Sequence, residues 1–85
     1  MLKIERLDRH GNAATLRLEG QILGPWVDAL RDACERALAA GEQVDLDLAD
    51  VSFVDLRGVG LLRSLAERGV STLNCSGLVA AQLRV

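Results

Sequence analysis

The sequence predicts an α/β domain built on a small sheet of about four strands, in the order β-β-α-β-α-β-α. Three observations lead to this prediction: alternating apolar residues that indicate strands, apolar residues at helical spacing between them, and glycine or proline at most boundaries. Strand-helix-strand connections imply right-handed crossovers and parallel pairing. Because the strands alternate rather than run continuously apolar, we expect the helices mainly on one face of the sheet.

The first half of the chain predicts a hairpin followed by a helix. Residues 2–8 and 13–19 alternate as strands, and a Gly-Asn turn lies between them. Pro25 suits the first position of a helix, where its missing N–H costs nothing. Helical spacing of apolar residues continues from Trp26 until Gly41, the expected left-handed stop.

The second half predicts two further crossovers. Residues 43–48 alternate as a third strand, and the apolar run 51–54 leads the chain back into the core. A second helix is expected over about 58–68 and a short fourth strand over 70–75. Ser76 is then expected to cap a last short helix.

Composition limits the number of domains and the classes of partner that we expect. The 85 residues predict one domain, 1–85, with a core of Leu, Val and Ala, since Trp26 and Phe53 are the only aromatic residues. A net charge of −2 with both signs interspersed gives no electrostatic signature for nucleic acid. No apolar stretch approaches a membrane span and no signal-peptide pattern is present, so we expect no membrane insertion and a cytoplasmic location.

The sequence offers little for catalysis or for a metal. The only histidine, His10, lies in a predicted turn, and the two cysteines, Cys34 and Cys75, are too few for a zinc site. We expect both cysteines to be small buried hydrophobic residues. No glycine-rich phosphate loop followed by a lysine is present. We therefore predict that the protein is not an enzyme and uses no metal or cofactor.

Asp55 is the most informative position, because it follows the third strand and precedes the second helix, where Asp is a typical N-cap. Arg57 then falls in the first turn, where a cation opposes the helix dipole. Arg57 either marks a functional site or pairs with Asp55 or Asp50 in solvent. Gly58 either eases the turn or, with Gly60, admits the close approach of another backbone.

The segment L-D-L-A-D-V-S-F-V-D-L-R-G-V-G-L-L resembles the signature of the STAS domain, the family of sulfate-transporter domains and anti-sigma-factor antagonists. The family pattern is a hydrophobic strand, then D-x-[ST]-G or D-S-[ST]-G, then a helix that opens with small and aliphatic residues. The earlier segment L-R-L-E-G-Q-I-L-G-P-W-V-D-A-L matches as well. The resemblance covers almost the whole chain in the same element order.

This resemblance implies a partner-switching protein. Stand-alone bacterial members bind a GHKL-type anti-sigma kinase and are released when the Ser or Thr before the motif glycine is phosphorylated, which adds about two negative charges at the interface. The motif Asp corresponds to Asp55 and the motif Gly to Gly58. The phosphoacceptor position is therefore Arg57, which has no hydroxyl, and the neighbouring position, often Ser in the family, is Leu56.

The chain departs from the family at other points too. The loop after the second strand, residues 20–23, reads G-Q-I-L where the family often carries an acidic residue, as in G-E-L-D. Ser52 and Ser64 remain as hydroxyls away from the matching position. Members often continue with a fifth strand and a closing helix, so we expect this domain to be short at its C-terminus and open to a homodimer. The apolar residues expected to pack incompletely there are Leu78, Val79, Leu83 and Val85.

We therefore predict a STAS-like interaction module without phospho-switching at the usual position. Asp55 is expected to fix the turn, and Arg57 to offer a constitutive positive contact for an acidic partner surface. The predicted partner-binding residues are Leu23, Gly24, Asp55, Leu56, Arg57, Gly58, Gly60, Ser64, Glu67 and Arg68.

Two alternatives remain open on the sequence. One is a STAS subunit of a lipid-transport complex that docks on an ABC-type ATPase through an overlapping surface, as the family resemblance implies. The other is an anion or nucleotide sensor, in which the N–H groups at the start of the second helix hold a phosphate together with Arg57.

Overall fold

The computed structural model describes residues 1–8 and 10–84, and these form one mixed sheet with three helices. The predicted element order and fold class are confirmed. In chain order the elements are β1 (Leu2–Asp8), β2 (Ala13–Ile22), α1 (Pro25–Ala39), β3 (Gln43–Val54), α2 (Leu56–Glu67), β4 (Ser71–Leu73) and α3 (Gly77–Arg84).

The four strands lie side by side in the order β1-β2-β3-β4. β1 and β2 form the antiparallel hairpin, with Ile4 opposite Leu18, whereas β2–β3 and β3–β4 are parallel. The two parallel steps are the crossovers that carry α1 and α2. β1 and β4 are therefore the two edges of the described sheet.

The core lies between the helices and one face of the sheet. Leu18 and Leu46 of the central strands are fully buried, as are Leu30 of α1 and Leu65 of α2. The opposite face carries mostly polar side chains, as expected for helices on one side, although Thr15 on that face is also buried. Burial of apolar surface on this scale supplies the main driving force for folding.

Several predicted boundaries are wrong by a few residues. β3 is one continuous strand to Val54 and does not stop at residue 48, and β2 runs with it as far as Ile22. Shifts of register between these two strands interrupt the alternation, so that the sequence pattern of β3 looks like two segments. β4 is only three residues long, because Asn74 takes a left-handed conformation (φ 60°) directly after it.

The last helix packs better than expected. The Ser76 hydroxyl accepts a hydrogen bond from the Val79 N–H (3.2 Å), as predicted for an N-cap. Val79 is fully buried and Leu83 packs against the core, so the expectation of incomplete packing is wrong for Val79. Leu78 is 61% exposed. Val85 lies outside the described residues.

The two cysteines are both free thiols. Cys34 is buried as predicted, and burial raises the pKa of its thiol to about 11. Cys75 is only half-buried. None of the helices formed by residues 1–8 and 10–84 is long and apolar enough to cross a membrane.

Candidate partner-binding site

The Asp55 carboxylate joins two loops at the carboxyl ends of the central strands. One oxygen accepts the Gly58 N–H of the first turn of α2 (2.7 Å), and the other accepts the Gly24 N–H of the loop after β2 (3.0 Å). The Asp55 N–H in turn donates to the carbonyl of Ile22 (3.0 Å). Asp55 is therefore the predicted N-cap, and it also fixes the β2–α1 loop against the start of α2.

These bonds favour the charged form of the carboxyl. The N–H groups of Gly58 and Gly24, in that order, lower the pKa of Asp55, and the nearby charge of Arg57 adds to the effect. The helix dipole favours a negative charge at the same place. The turn therefore holds an ionised Asp55 at neutral pH, with both oxygens already occupied by backbone donors.

Gly58 faces inward. It is buried, and a Cβ added to it would lie 2.7 Å from Cγ1 of Val54 and 3.0 Å from the carbonyl oxygen of Ile22. The close approach that was expected at this glycine is made by the protein's own β2 and β3. Gly58 was predicted to contact a partner directly, but its burial limits it to placing α2 against the sheet.

Leu56 and Gly60 face outward. Leu56, the first residue of α2, is 89% exposed and follows Asp55, which holds the backbone of this turn. Gly60 is exposed one turn later, and apart from its chain neighbours and the backbone of α2, no described atom lies within 4 Å of where its Cβ would be. Space for another backbone therefore exists at Gly60.

Arg57 does not pair as predicted. Its guanidinium donates to the carboxylate of Asp28 in α1 (3.1 Å), and not to Asp55 or Asp50. Asp28 also accepts from Arg31 of the same helix (2.7 Å). Two arginines thus share one carboxylate, and the ionised Asp55 lies near Arg57, so the charges at this corner balance. The pairs lie in solvent, where such bridges contribute little to stability.

An apolar groove of about 550 Å³ opens beside Leu56. Phe53, Val54, Leu56 and Val59 form its walls, and Asp55, Arg57 and Gln82 contribute polar atoms. The Gln82 amide of α3 donates to the carbonyl of Val54 (2.8 Å) and accepts from its N–H (3.2 Å), as a neighbouring strand would.

Sequence reasoning missed Phe53, Val59, Gln82 and Asp28. The roles of Gln82 and Asp28 depend on contacts with Val54 and Arg57, which are 28 and 29 positions away, and no local pattern signals such contacts. Phe53 alone carried a signal, as the only large aromatic residue next to the Asp55 turn, and it is 39% exposed.

The predicted residues do not all lie in one place. Leu23 and Gly24 are half-buried and lie beside Asp55, as predicted. Ser64 and Glu67 are exposed further along α2. Arg68 follows the last residue of α2 and pairs with Glu35 of α1. Because α2 has 12 residues, its ends are about 18 Å apart. Arg68 therefore belongs to a different part of the surface from Leu56.

The turn and the groove present mostly apolar side chains. No group of His, Cys, Asp and Glu in the described part of the chain is placed to hold a metal ion. The polar atoms around the groove are largely engaged with the protein's own backbone or with Asp28. What remains accessible is apolar surface with the exposed guanidinium of Arg57 at its margin.

Comparison with known proteins gives one family match. The family model described as "Mlab, STAS domain" matches residues 5–85. A search of curated proteins finds no match.

Solved structures show the same fold. The anti-sigma factor antagonist SpoIIAA in its unphosphorylated form is 23% identical with a TM-score of 0.72, over 99% of this chain and 82% of that one. SpoIIAA of Bacillus in its phosphorylated form is also 23% identical, with a TM-score of 0.70 over 99% of this chain and 81% of that one.

An anti-sigma factor antagonist from Mycobacterium paratuberculosis is 19% identical, with a TM-score of 0.74. The match covers 85% of this chain and 66% of that protein. At these identities the structures establish the fold, which is the STAS fold that the D-L-R-G segment indicated. Since the family model spans nearly the whole sequence, the chain belongs to the STAS domain family.

Proposed function

We propose that this chain is a protein-interaction module that binds a partner through the turn surface, defined as Phe53, Leu56, Arg57 and Gly60. The observation that carries the proposal is the 89% exposure of Leu56 beside an apolar groove. Apolar residues exposed together beside a concave surface, as Leu56 and Phe53 are here, are typical of protein interfaces. Asp55 and Gly58 serve this surface by holding it in place.

Binding at this surface is not controlled by phosphorylation of the motif. SpoIIAA has been solved in unphosphorylated and phosphorylated forms, and the family pattern that the D-L-R-G segment resembles has Ser or Thr before the motif glycine. Here that position is Arg57, whose charge is permanent at physiological pH. Control, where it exists, acts on the partner or on another hydroxyl. Ser52 and Ser64 are the nearby exposed serines.

The first partner class is a GHKL-type anti-sigma kinase, because two of the similar structures are described as anti-sigma factor antagonists. The exposed guanidinium of Arg57, next to Leu56, suits an acidic group beside an apolar anchor.

A second candidate is permanent docking on an ABC-type ATPase. One observation favours it: a subunit that is never released needs no phosphoacceptor, and Arg57 provides none. An apolar residue as exposed as Leu56 is also more usual in lasting interfaces than in transient ones.

The anion-sensor alternative is disfavoured by the turn itself. An anion at the start of α2 would have to displace or lie against the Asp55 carboxylate, which already accepts the Gly58 N–H. We therefore expect no thermal shift with phosphate or nucleotides. A clear shift that is lost in Arg57→Ser would reverse this ranking.

The test compares three baits in an affinity purification from native lysate with mass spectrometry: wild type, Leu56→Asp and Leu78→Asp. An acidic residue in the first turn of α2 favours the helix, so Leu56→Asp should remain folded. Leu78 is the matched control, since it is also exposed but does not line the groove.

A GHKL-type kinase retained by wild type and Leu78→Asp but lost by Leu56→Asp supports the antagonist role. An ABC-type ATPase with the same pattern supports the second candidate. Equal recovery of every partner by all three baits would show that the turn surface is not the interface.

A further inference from the structure

Strand β1 leaves one side of its backbone unpaired within the described sheet. It is the first strand in the order β1-β2-β3-β4 and hydrogen-bonds only to β2. The Gln21 N–H donates to the Met1 carbonyl (2.9 Å), so the odd-numbered residues of this antiparallel pair point their backbone groups toward β2. The even-numbered residues Leu2, Ile4 and Arg6 therefore present N–H and C=O groups at the open edge.

An open edge can add a strand of another molecule, and natural proteins often restrict this with charged side chains. In β1 the charges exclude most symmetric pairings with a second copy. An axis through any of the four charged residues of this seven-residue strand, Lys3, Glu5, Arg6 or Asp8, would place that charge opposite itself. Like charges directly opposite one another in adjacent strands are destabilising.

One central register avoids every such clash. With the axis through Ile4, each Lys3 faces Glu5 of the second copy, and Ile4 faces Ile4. Lys3 and Glu5 are exposed on the open face of the sheet, so both ion pairs can form without moving the core. Leu2 then lies opposite the aliphatic part of Arg6.

The hydrogen-bonding pattern agrees with this register independently of charge. Ile4 is one of the residues whose backbone faces outward, so the two copies exchange bonds at Ile4 and at the Leu2–Arg6 pairs. Lys3 and Glu5 fall at the intervening narrow pairs, where opposing side chains are closest.

The helix-side surface next to this edge is partly apolar. A groove of about 510 Å³ lies between β1 and α1, where Ile4, Leu16, Ala29 and Ala33 form an apolar floor and the charged residues Arg6, Arg36 and Glu42 also line it. Ile4 is only partly buried there. A second Ile4 across the two-fold axis would extend this apolar floor and remove more of it from water.

We infer that two copies of this chain associate edge to edge through β1, in the antiparallel register centred on Ile4, to give one continuous eight-stranded sheet. The turn surface lies at the end of β3, two strands away from this edge. The dimer therefore leaves both turn surfaces open, and the inference is independent of the proposed partner.

Sedimentation velocity over a concentration series tests association. Wild type should shift reversibly from monomer to dimer as concentration rises. Lys3→Glu should remain monomeric, since it places two carboxylates opposite each other at both narrow pairs. The double variant Lys3→Glu/Glu5→Lys should recover the dimer. Melting curves confirm that each variant is folded.

Cysteine cross-linking tests the register. In a Cys75→Ser background, Ile4→Cys brings two thiols together across the axis at about 5.5 Å between Cα atoms, within disulfide reach. Lys3→Cys and Glu5→Cys place them about 8 Å apart, which is too far. Cys34 is buried and does not compete.

A covalent dimer from Ile4→Cys alone supports the proposal. Efficient cross-linking at position 3 or 5 instead would overturn the register. A wild-type protein that stays monomeric throughout the series, with no cross-link from Ile4→Cys, would overturn the association itself.

Discussion

Gly58 and Gly60 lie two residues apart in the same helix and have opposite surroundings. At Gly58 a Cβ would meet Val54 and the backbone of Ile22, whereas at Gly60 it would meet nothing within 4 Å beyond its chain neighbours and the backbone of α2. One side of the turn is therefore determined by the fold, and the other is left open. The difference separates residues that build the site from residues that can recognise a partner.

Gly58→Ala should have the largest effect on stability. The added methyl group must displace Val54, a stiff β-branched side chain, or push α2 away from the sheet. We expect the free energy of unfolding to fall by about 1–3 kcal/mol. Urea unfolding followed by circular dichroism measures this. An unchanged midpoint would mean that α2 can shift freely at this end.

Asp55→Ala should come next, because it removes the cap of α2 and the bond to the Gly24 N–H together. Loss of an N-cap typically costs about 0.5–2 kcal/mol. Urea unfolding at pH 7 should show a loss in this range, and Ser76→Ala, which removes the cap of α3, is a natural comparison. If Asp55→Ala lowers the free energy of unfolding no more than replacement of an exposed serine that caps no helix, Asp55 does not hold the two loops together.

The same carboxyl should make stability depend on pH. Its pKa is lowered in the folded protein, so its contribution is complete above the ordinary value near 4 and is lost as pH falls through the lower folded value. The difference in unfolding free energy between wild type and Asp55→Asn should therefore shrink at acid pH. A constant difference from neutral to strongly acid pH would exclude this linkage.

Gly60→Ala should have a smaller effect of the opposite sign. Alanine is favoured over glycine inside a helix by about 0.5–1 kcal/mol, and there is room for its methyl group. The melting temperature should rise slightly. If a partner's backbone approaches here, affinity for that partner should nevertheless fall. A rise in stability with no loss of binding would place the partner elsewhere on the turn surface.

Arg57→Ser should have the smallest effect on the fold. Its ion pair with Asp28 lies in solvent, so the melting temperature should be unchanged within error. The variant also restores a hydroxyl at the family's phosphoacceptor position. Partner affinity is the informative readout. If affinity is unchanged as well, Arg57 is not the positive contact that we propose.

The features that could be predicted from the sequence are those that depend on neighbouring residues. The N-cap at Asp55, the N-cap at Ser76 and the order of the elements all follow from neighbouring residues, and the structure confirms them. The sequence could not predict the Arg57–Asp28 pair or the way Gln82 completes the hydrogen bonding of Val54. Those contacts arise only when distant helices pack on the sheet, and their residues carry no motif of their own.

Asp55 holds the turn through main-chain N–H groups, and this affects which residues of the motif can change within the family. Because Gly24 and Gly58 are held through backbone atoms, the side chains at positions 56 and 57 take no part in shaping the turn. Selection can exchange a serine for an arginine there without rebuilding the scaffold. A lineage can thus change its signalling chemistry in one substitution while the architecture that presents it stays the same.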